Sequence, residues 1–474
     1  MIPYLRQIRA VTRWAPFDTS TPEGRSDERY RRIVLTTASS VAVRTAGVVA
    51  GLVAVPLLLG FLGKERYGLW TAVTSIVTWA SLFDLGLSNG LVNLVARAHG
   101  REDRAEARAA FATAFTALLG IALVLGLGLV LLLPAVSWSS FLGAQGVMDE
   151  GTVRWSVAAA AGAFLVGLPL GVVPQLYAGY QRTYVVNAFA LVGTVASLAA
   201  LVAAVLLGAP MPVLVLCLSS GALMSSGLAL AHARRAFHWI ALGPSHATRH
   251  ALRELTRRSI PIVLFQLGAL AVNETQVIIL ARRCGLSLVT DYSVAFRLYA
   301  VLISLIQLGT ASFLPPLREA RERGDHAWGV RAFRNLLSVR MMLSVAAGIG
   351  LVALGNLVLR FWLGRDDMRF GLEVWGAFAI LLLAAVWSTA FSDLLWIMDR
   401  LWPLVGLVLL NGLLTVGLTW WLAPTHGVPG VVLASVIFPL AVSSWALPRL
   451  ARPLLLAPAG PGQAPPGAGG NPGR

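Results

Sequence analysis

"SLFDLGLSNGLVNLVARA", residues 81–98, places an aspartate, two asparagines and two glycines inside an apolar run. On one continuous helix, Gly86, Gly90, Asn93 and Arg97 share a face, and Ser81, Asp84 and Ser88 share the opposite one. Two polar faces leave none for lipid. Either other helices enclose the segment, or the helix breaks around "LGLSNG". The solvent around this stretch therefore decides the fold.

The whole chain answers the solvent question. Of 474 residues, 57% are hydrophobic and 13% charged, and mean hydropathy is +0.73. A soluble chain carries about 25% charged residues. Apolar runs long enough to cross a bilayer as helices recur from Ile33 to about Leu450. Helices are required, because hydrocarbon offers backbone groups no partner and the runs lack barrel alternation. Breaks at charged or Pro/Gly positions divide them into twelve spans: 33–62, 67–96, 109–133, 155–178, 185–208, 211–231, 259–281, 291–317, 332–358, 372–396, 402–423 and 428–448.

The ends stand apart. Residues 1–32 are too polar for a signal peptide; "MIPYLRQIRAVTRW" reads as a basic surface helix or a solvated tail. Residues 457–474 hold eleven Gly or Pro in eighteen and read as disordered.

The net charge of +16 is distributed by loop. Alternate loops on the N-terminal side carry 27 basic residues against 8 on the other side, with Arg44, Arg297 and Arg340 inside spans. That asymmetry puts both termini in the cytoplasm and argues against nucleic acid as a partner. Cys217 and Cys284 stand too far apart to argue a disulfide or metal pair.

The chain also repeats itself. "VARAHGREDRAEARAAF" (95–111) aligns without gaps to "LREARERGDHAWGVRAF" (317–333). Asp103 pairs with Asp325 and Phe111 with Phe333. "QRTY" (181–184) likewise matches "DRLW" (399–402). The organisation read from this is a basic cytoplasmic segment (1–32), a six-helix N-lobe (33–231), a basic linker (232–258), a six-helix C-lobe (259–450) and a tail (451–474). Six being even, the repeats are parallel, with a central cavity expected between them. The fold class is an all-α polytopic membrane protein.

Within the spans, Thr37, Ser40, Arg44, Gly47 and Gly51 form one stripe. Arg44 reads as a cationic contact for an anionic substrate or as a snorkelling side chain. Arg297, on a face with Ser293 and Ser304, reads as a contact or an interfacial anchor. Gln266, Asn273 and Gln276 share a face beside Glu274. Asp84, Glu274 and Asp393 read either as structural ion-pair partners or as ion-coupling groups. The acidic pair in "RDDMR" (365–369) reads as a solvated turn. No metal spacing, phosphate loop or nucleophile motif is present, so no cofactor and no catalytic residue are assigned.

The stretch 58–98, with Leu62-Gly63, Glu65, Tyr67 to Trp70 and Asp84 to Val92, resembles the polysaccharide and O-antigen flippases. These belong to the multidrug/oligosaccharidyl-lipid/polysaccharide exporter superfamily. "LYAGYQRTYVVN" (176–187) and "DYSVAFRLY" (291–299) are similar to the family as well. The resemblance implies a transporter, not an enzyme, in a bacterial cytoplasmic membrane. It implies two lobes rocking around a cavity lined by cations, which Arg44 and Arg297 fit. The substrate implied is polyprenyl-diphosphate-linked oligosaccharide. Gln266, Asn273, Gln276 and Asn93 would meet the glycan, with polysaccharide polymerase and export machinery as partners. Two further C-terminal helices common in relatives have no room after about residue 450. Coupling to a proton or sodium gradient stays open. The alternative is a multidrug cation/proton antiporter of the same superfamily; short outer loops disfavour a glycosyltransferase, and a silent scaffold is the third reading.

Overall fold

The computed structural model describes residues 17–18, 21–307, 316–317, 319–320, 323, 325–365, 368–398 and 400–456. The basic segment up to residue 16, the pair Asp366–Asp367, Asp399 and the tail from 457 lie outside the described residues.

The described residues form helices and no strand. They are α1 (Pro22–Leu62), α2 (Lys64–Ala80), a 3-10 turn (Ser81–Asp84), α3 (Leu87–Gly100), α4 (Arg104–Ala135), α5 (Trp138–Phe141), α6 (Glu150–Leu170), α7 (Val172–Gly179), α8 (Thr183–Leu206) and α9 (Met211–Ala236). After the connection come α10 (Arg249–Asn273), α11 (Thr275–Arg283), α12 (Leu286–Gln307), α13 (His326–Leu363), α14 (Leu372–Ile397), α15 (Leu401–Phe438) and α16 (Ser444–Leu456).

Among the described residues, ten helical stretches are long and apolar enough to cross a membrane. One of them, Leu401–Arg452, holds two of the sequence spans, separated at Gly427, whose backbone is not helical. The span 67–96 is not one helix but α2, the 3-10 turn and α3. With these two features each of the twelve spans has a helical counterpart among the described residues, and residues 308–315 of the eighth lie outside them. The chain is a multi-pass membrane protein.

Helix starts follow local chemistry. Thr21 caps α1 by accepting from the Gly24 amide, with Pro22 in the first turn. Asp103 caps α4 by accepting from the Ala105 and Glu106 amides at 2.9 Å each. Asp325 caps α13 by accepting from the Trp328 amide at 3.1 Å. These two aspartates are the aligned pair of the internal repeat, and both do the same local work. Arg182 and Arg400, aligned in the second match, immediately precede α8 and α15. The repeat is therefore a repeat of helix starts.

The chain forms two compact units, Met1–Ser293 and Val294–Arg474, dividing inside α12. The sequence reading placed its division at 232–258. The reason for the difference lies in packing: α10 packs on α3 and α11 on α2, so the first helices after the linker join the unit before it.

In the first unit, Leu91, Val95, Phe111, Leu118, Val172, Tyr177 and Leu255 form a continuous buried core. The α8–α9 pair packs backbone to backbone: a Cβ on Gly193 would lie 2.3 Å from the Gly221 carbonyl oxygen. Such approach is open only to glycine. In the second unit, α13, α14, α15 and α16 pack together. Trp375 and Phe378 of α14 are buried, and Asn356 binds the Phe370 amide, the Phe370 carbonyl and the Trp375 indole.

Candidate functional site

The opening stretch breaks. Leu85 (φ 49°) and Gly86 (φ 67°) are both left-handed, and they end the 3-10 turn before α3 begins. Glycine takes that conformation without steric cost; leucine does not. Gly86 is also a contact: its Cβ would lie 2.8 Å from Ser259 Cβ. Ser259 Oγ donates to the Gly86 carbonyl at 2.8 Å. The break resolves the conflict of two polar faces. Asp84 now sits at the N-terminal end of α3, where Ser88 Oγ donates to it at 2.6 Å. The unpaired amides and dipole of a helix start favour a carboxylate there.

A slighter irregularity lies in the span Ser259–Arg283, at Glu274, whose backbone stays in the right-handed helical region (φ −95°, ψ −31°). α10 ends at Asn273, and Glu274 occupies the N-cap position of α11. Ser75 of α2 is its hydrogen-bonding neighbour. Asp84 thus occupies the joint of a discontinuous helix, the arrangement that builds ion and substrate sites in secondary transporters. Among the described residues, neither Asp84 nor Glu274 has a cationic partner.

The two stretches are tied at both ends. Arg97 Nη2 lies 2.5 Å from Glu254 Oε1, and Arg97 Nε lies 3.5 Å from Glu106. At the opposite end Lys64 Nζ lies 2.8 Å from Asp291, and Thr290 Oγ1 donates to the Lys64 carbonyl at 2.5 Å. Gly68 approaches the Leu286 carbonyl so closely that a Cβ would lie 2.1 Å away. These ties hold the segment 249–291 on α2 and α3.

The other predicted residues fall in contrasting places. Arg44 is exposed on α1, and no described residue pairs with it. Its stripe is only partly free, because Asn187 of α8 donates to Ser39 and Ser40 at 2.9 and 3.0 Å. Arg297, in the second unit, is exposed on α12 without a described partner. Asn93 is exposed on α3. Gln266 is half-buried, with Oε1 buried and unbonded among the described residues.

Gln266, Asn273 and Gln276, read as one face, meet different surroundings. Asn273 is exposed and its Nδ2 donates to its own helix at Ala269. Gln276, on α11, is 1% exposed and accepts from Tyr292 Oη at 2.5 Å. Their neighbours differ, which periodicity along one helix does not register.

Of the three acids, only Asp393 makes an ion pair. Arg340 Nη1 lies 3.2 Å from Asp393 Oδ2, and Arg340 Nη2 donates to Thr389 Oγ1 at 2.9 Å. Arg340 is 2% exposed. The sequence reading placed Arg340 inside a span and gave it no role. The signal was there: one cation and one acid in consecutive spans, each needing a partner away from water.

Outside the spans, Glu28 shows how charge is held at the start of α1. Burial opposes its ionisation, but hydrogen bonds from Arg31, Arg32 and the Phe17 amide outweigh it and hold the carboxyl down at about 2.

Comparison with known proteins follows from this geometry. The family described as "Polysaccharide biosynthesis protein" matches residues 34–319. A Salmonella typhi protein named "Putative O-antigen transporter" is 22% identical over 418 residues, covering 85% of this chain and 92% of that protein. Among solved structures, the lipid II flippase MurJ in an inward closed conformation has a TM-score of 0.67 at 12% identity, covering 88% of this chain and 87% of that one. An inward-facing multidrug resistance MATE transporter of the MOP superfamily has a TM-score of 0.64 at 14% identity, covering 95% and 98%. A MOP superfamily transporter from Pyrococcus furiosus has a TM-score of 0.62 at 15% identity, covering 90% and 95%. At these identities the structures establish the two-lobe helical fold.

Proposed function

The chain belongs to the polysaccharide biosynthesis protein family, and from that membership together with Arg44 we propose a flippase. Its substrate is polyprenyl-diphosphate-linked oligosaccharide, moved from the inner to the outer leaflet of a bacterial cytoplasmic membrane by alternating access, for surface polysaccharide synthesis. Both termini are cytoplasmic in this reading, as the basic-loop asymmetry supports.

Arg44 is the observation that carries the reading. The span Tyr30–Leu62 has 33 residues, so Arg44 stands about 21 Å from its start and about 27 Å from its end along the helix axis. That is near the middle of an apolar helix, where an unpaired guanidinium is costly unless a cavity or ligand receives it. A lipid diphosphate needs such a group while it crosses low dielectric, and a guanidinium takes two phosphate oxygens at once. Arg297 is the second candidate for the head group. Asn93 and Gln266 supply amides for the glycan; Gln276, occupied by Tyr292, leaves the set.

A second reading, the cation/proton antiporter, is favoured by Asp84 and Glu274, two acids within the spans without cationic partners among the described residues. In the flippase reading the same acids are candidates for coupling to a proton or sodium gradient.

The test is transfer of a polyprenyl-diphosphate oligosaccharide to the protected side of reconstituted vesicles. Wild type should transfer it, and the Arg44→Gln, Arg297→Gln double variant should not. Transfer by both discards the arginine site. No transfer by folded wild type, together with drug resistance on overexpression, replaces the flippase by the antiporter.

A further inference from the structure

A cavity of about 910 Å³ opens at the end of the first unit that carries the basic loops. It lies outside the broken-helix site, and three separate connections build it. Arg104 and Arg108 come from the start of α4, Arg182 from the start of α8, and Trp239 from the turn after α9. Among the described residues none of the three arginines makes an ion pair, and Arg108 Nε is buried without a partner. Two acids also line the cavity, Glu102 and Asp103. Asp103 is held by two amides as the α4 cap, and the three guanidiniums outnumber the two carboxylates.

Part of the lining is aromatic. Tyr180 lies 4.6 Å from the His99 ring, 4.9 Å from Phe237 and 6.2 Å from Trp239, by ring centroids. Phe237 is buried, whereas Tyr180 and Trp239 are half-buried and line the opening. Rings beside an excess of guanidiniums suit a ligand with a flat, partly apolar body joined to a compact anion. A pyranose presents one C–H face to a ring, and a diphosphate offers paired oxygens to arginines.

We propose that this cavity binds the glycosyl-diphosphate group of an activated sugar. Trp239 and Tyr180 receive the sugar, and Arg104, Arg108 and Arg182 receive the diphosphate. Two sources share this chemistry: a lipid-linked sugar approaching from the membrane, and a soluble nucleotide sugar. Only the lipid-linked source rests on the flippase reading. The first would make the cavity a loading site before transport; the second would make it a sensor of sugar supply.

The experiment is equilibrium titration of purified full-length protein in nanodiscs, which needs no transport and so stands or falls apart from the flippase test. The probes are citronellyl-diphosphate N-acetylglucosamine, UDP-N-acetylglucosamine and inorganic pyrophosphate. At least one glycosyl diphosphate should saturate wild type, and Arg104→Gln with Arg182→Gln should weaken it about tenfold or more. Trp239→Ala should weaken the sugar probes and leave pyrophosphate unchanged. Binding of the citronellyl probe alone identifies the lipid-linked source, and binding of the UDP probe alone the soluble one. Lack of saturable binding to folded wild type overturns the proposal. So does binding that the double arginine variant leaves intact, or sugar binding indifferent to Trp239→Ala.

Discussion

Arg340 Nη1 lies 3.2 Å from Asp393 Oδ2, joining α13 to α14 by a guanidinium that is almost wholly out of contact with solvent. A buried cation of this kind is tolerated only while its counter-charge is present. Asp393 is 37% exposed at its side chain, which lowers the expected cost below that of a fully buried pair. Asp393→Leu should destabilise the protein by about 2–3 kcal/mol. Arg340→Met added to it should restore most of that loss. Thermal unfolding in detergent reads both, and an Asp393→Leu protein melting like wild type removes the structural role.

The α8–α9 contact predicts a contrast between two glycines. Gly193→Ala pushes a methyl against the Gly221 carbonyl oxygen, 2.3 Å away, and should cost about 1–3 kcal/mol. Gly227, also on α9, has nothing within 4 Å of its Cβ position. Gly227→Ala should be neutral or slightly stabilising, through higher helix propensity. Equal melting temperatures for the two variants would contradict the close approach.

At Gly86 two costs overlap, and they separate by mutation. Gly86→Ala meets Ser259 Cβ at 2.8 Å and also places a side chain at φ 67°. Ser259→Gly in the same chain relieves the first and leaves the second, about 1 kcal/mol. Ser259→Gly alone also loses its hydrogen bond to Gly86 and is the reference for this comparison: against it Gly86→Ala should cost less than it does in wild type, but still something. No cost against that reference would mean that the left-handed conformation carries none here.

Glu28 predicts a pH dependence with a definite sign. Its folded carboxyl is held at about 2, against 4.5 as the ordinary value. The stabilisation is fully present above 4.5 and is lost as pH falls through about 2. Glu28→Gln should cost on the order of 3 kcal/mol at neutral pH. Its deficit relative to wild type should shrink as pH falls from 4.5 towards 2. A deficit that stays constant over that window would assign the loss to packing rather than charge.

Much of this protein was legible in one dimension. Apolar runs set by bilayer thickness marked the spans, and the 222-residue offset marked the repeat, because both are properties of adjacent residues. Asp103 and Asp325 illustrate this: a capping aspartate acts on amides two or three positions away, so its role can be read where it stands. The two polar faces of residues 81–98 showed that the segment is either enclosed by other helices or broken, and the fold shows the break.

Partnership between distant residues required the folded chain. Arg340 finds Asp393 across 53 positions, and Arg97 finds Glu254 across 157. Periodicity cannot choose between pairing and freedom for a charge, so it treated Asp84, Glu274 and Asp393 alike, though only the last is paired. Nor does it show that Gln276 is already taken by Tyr292, 16 positions away. Lipid specifies, residue by residue, that a segment be apolar and helical; the energy of a buried charge depends on what another segment brings within a few ångströms of it.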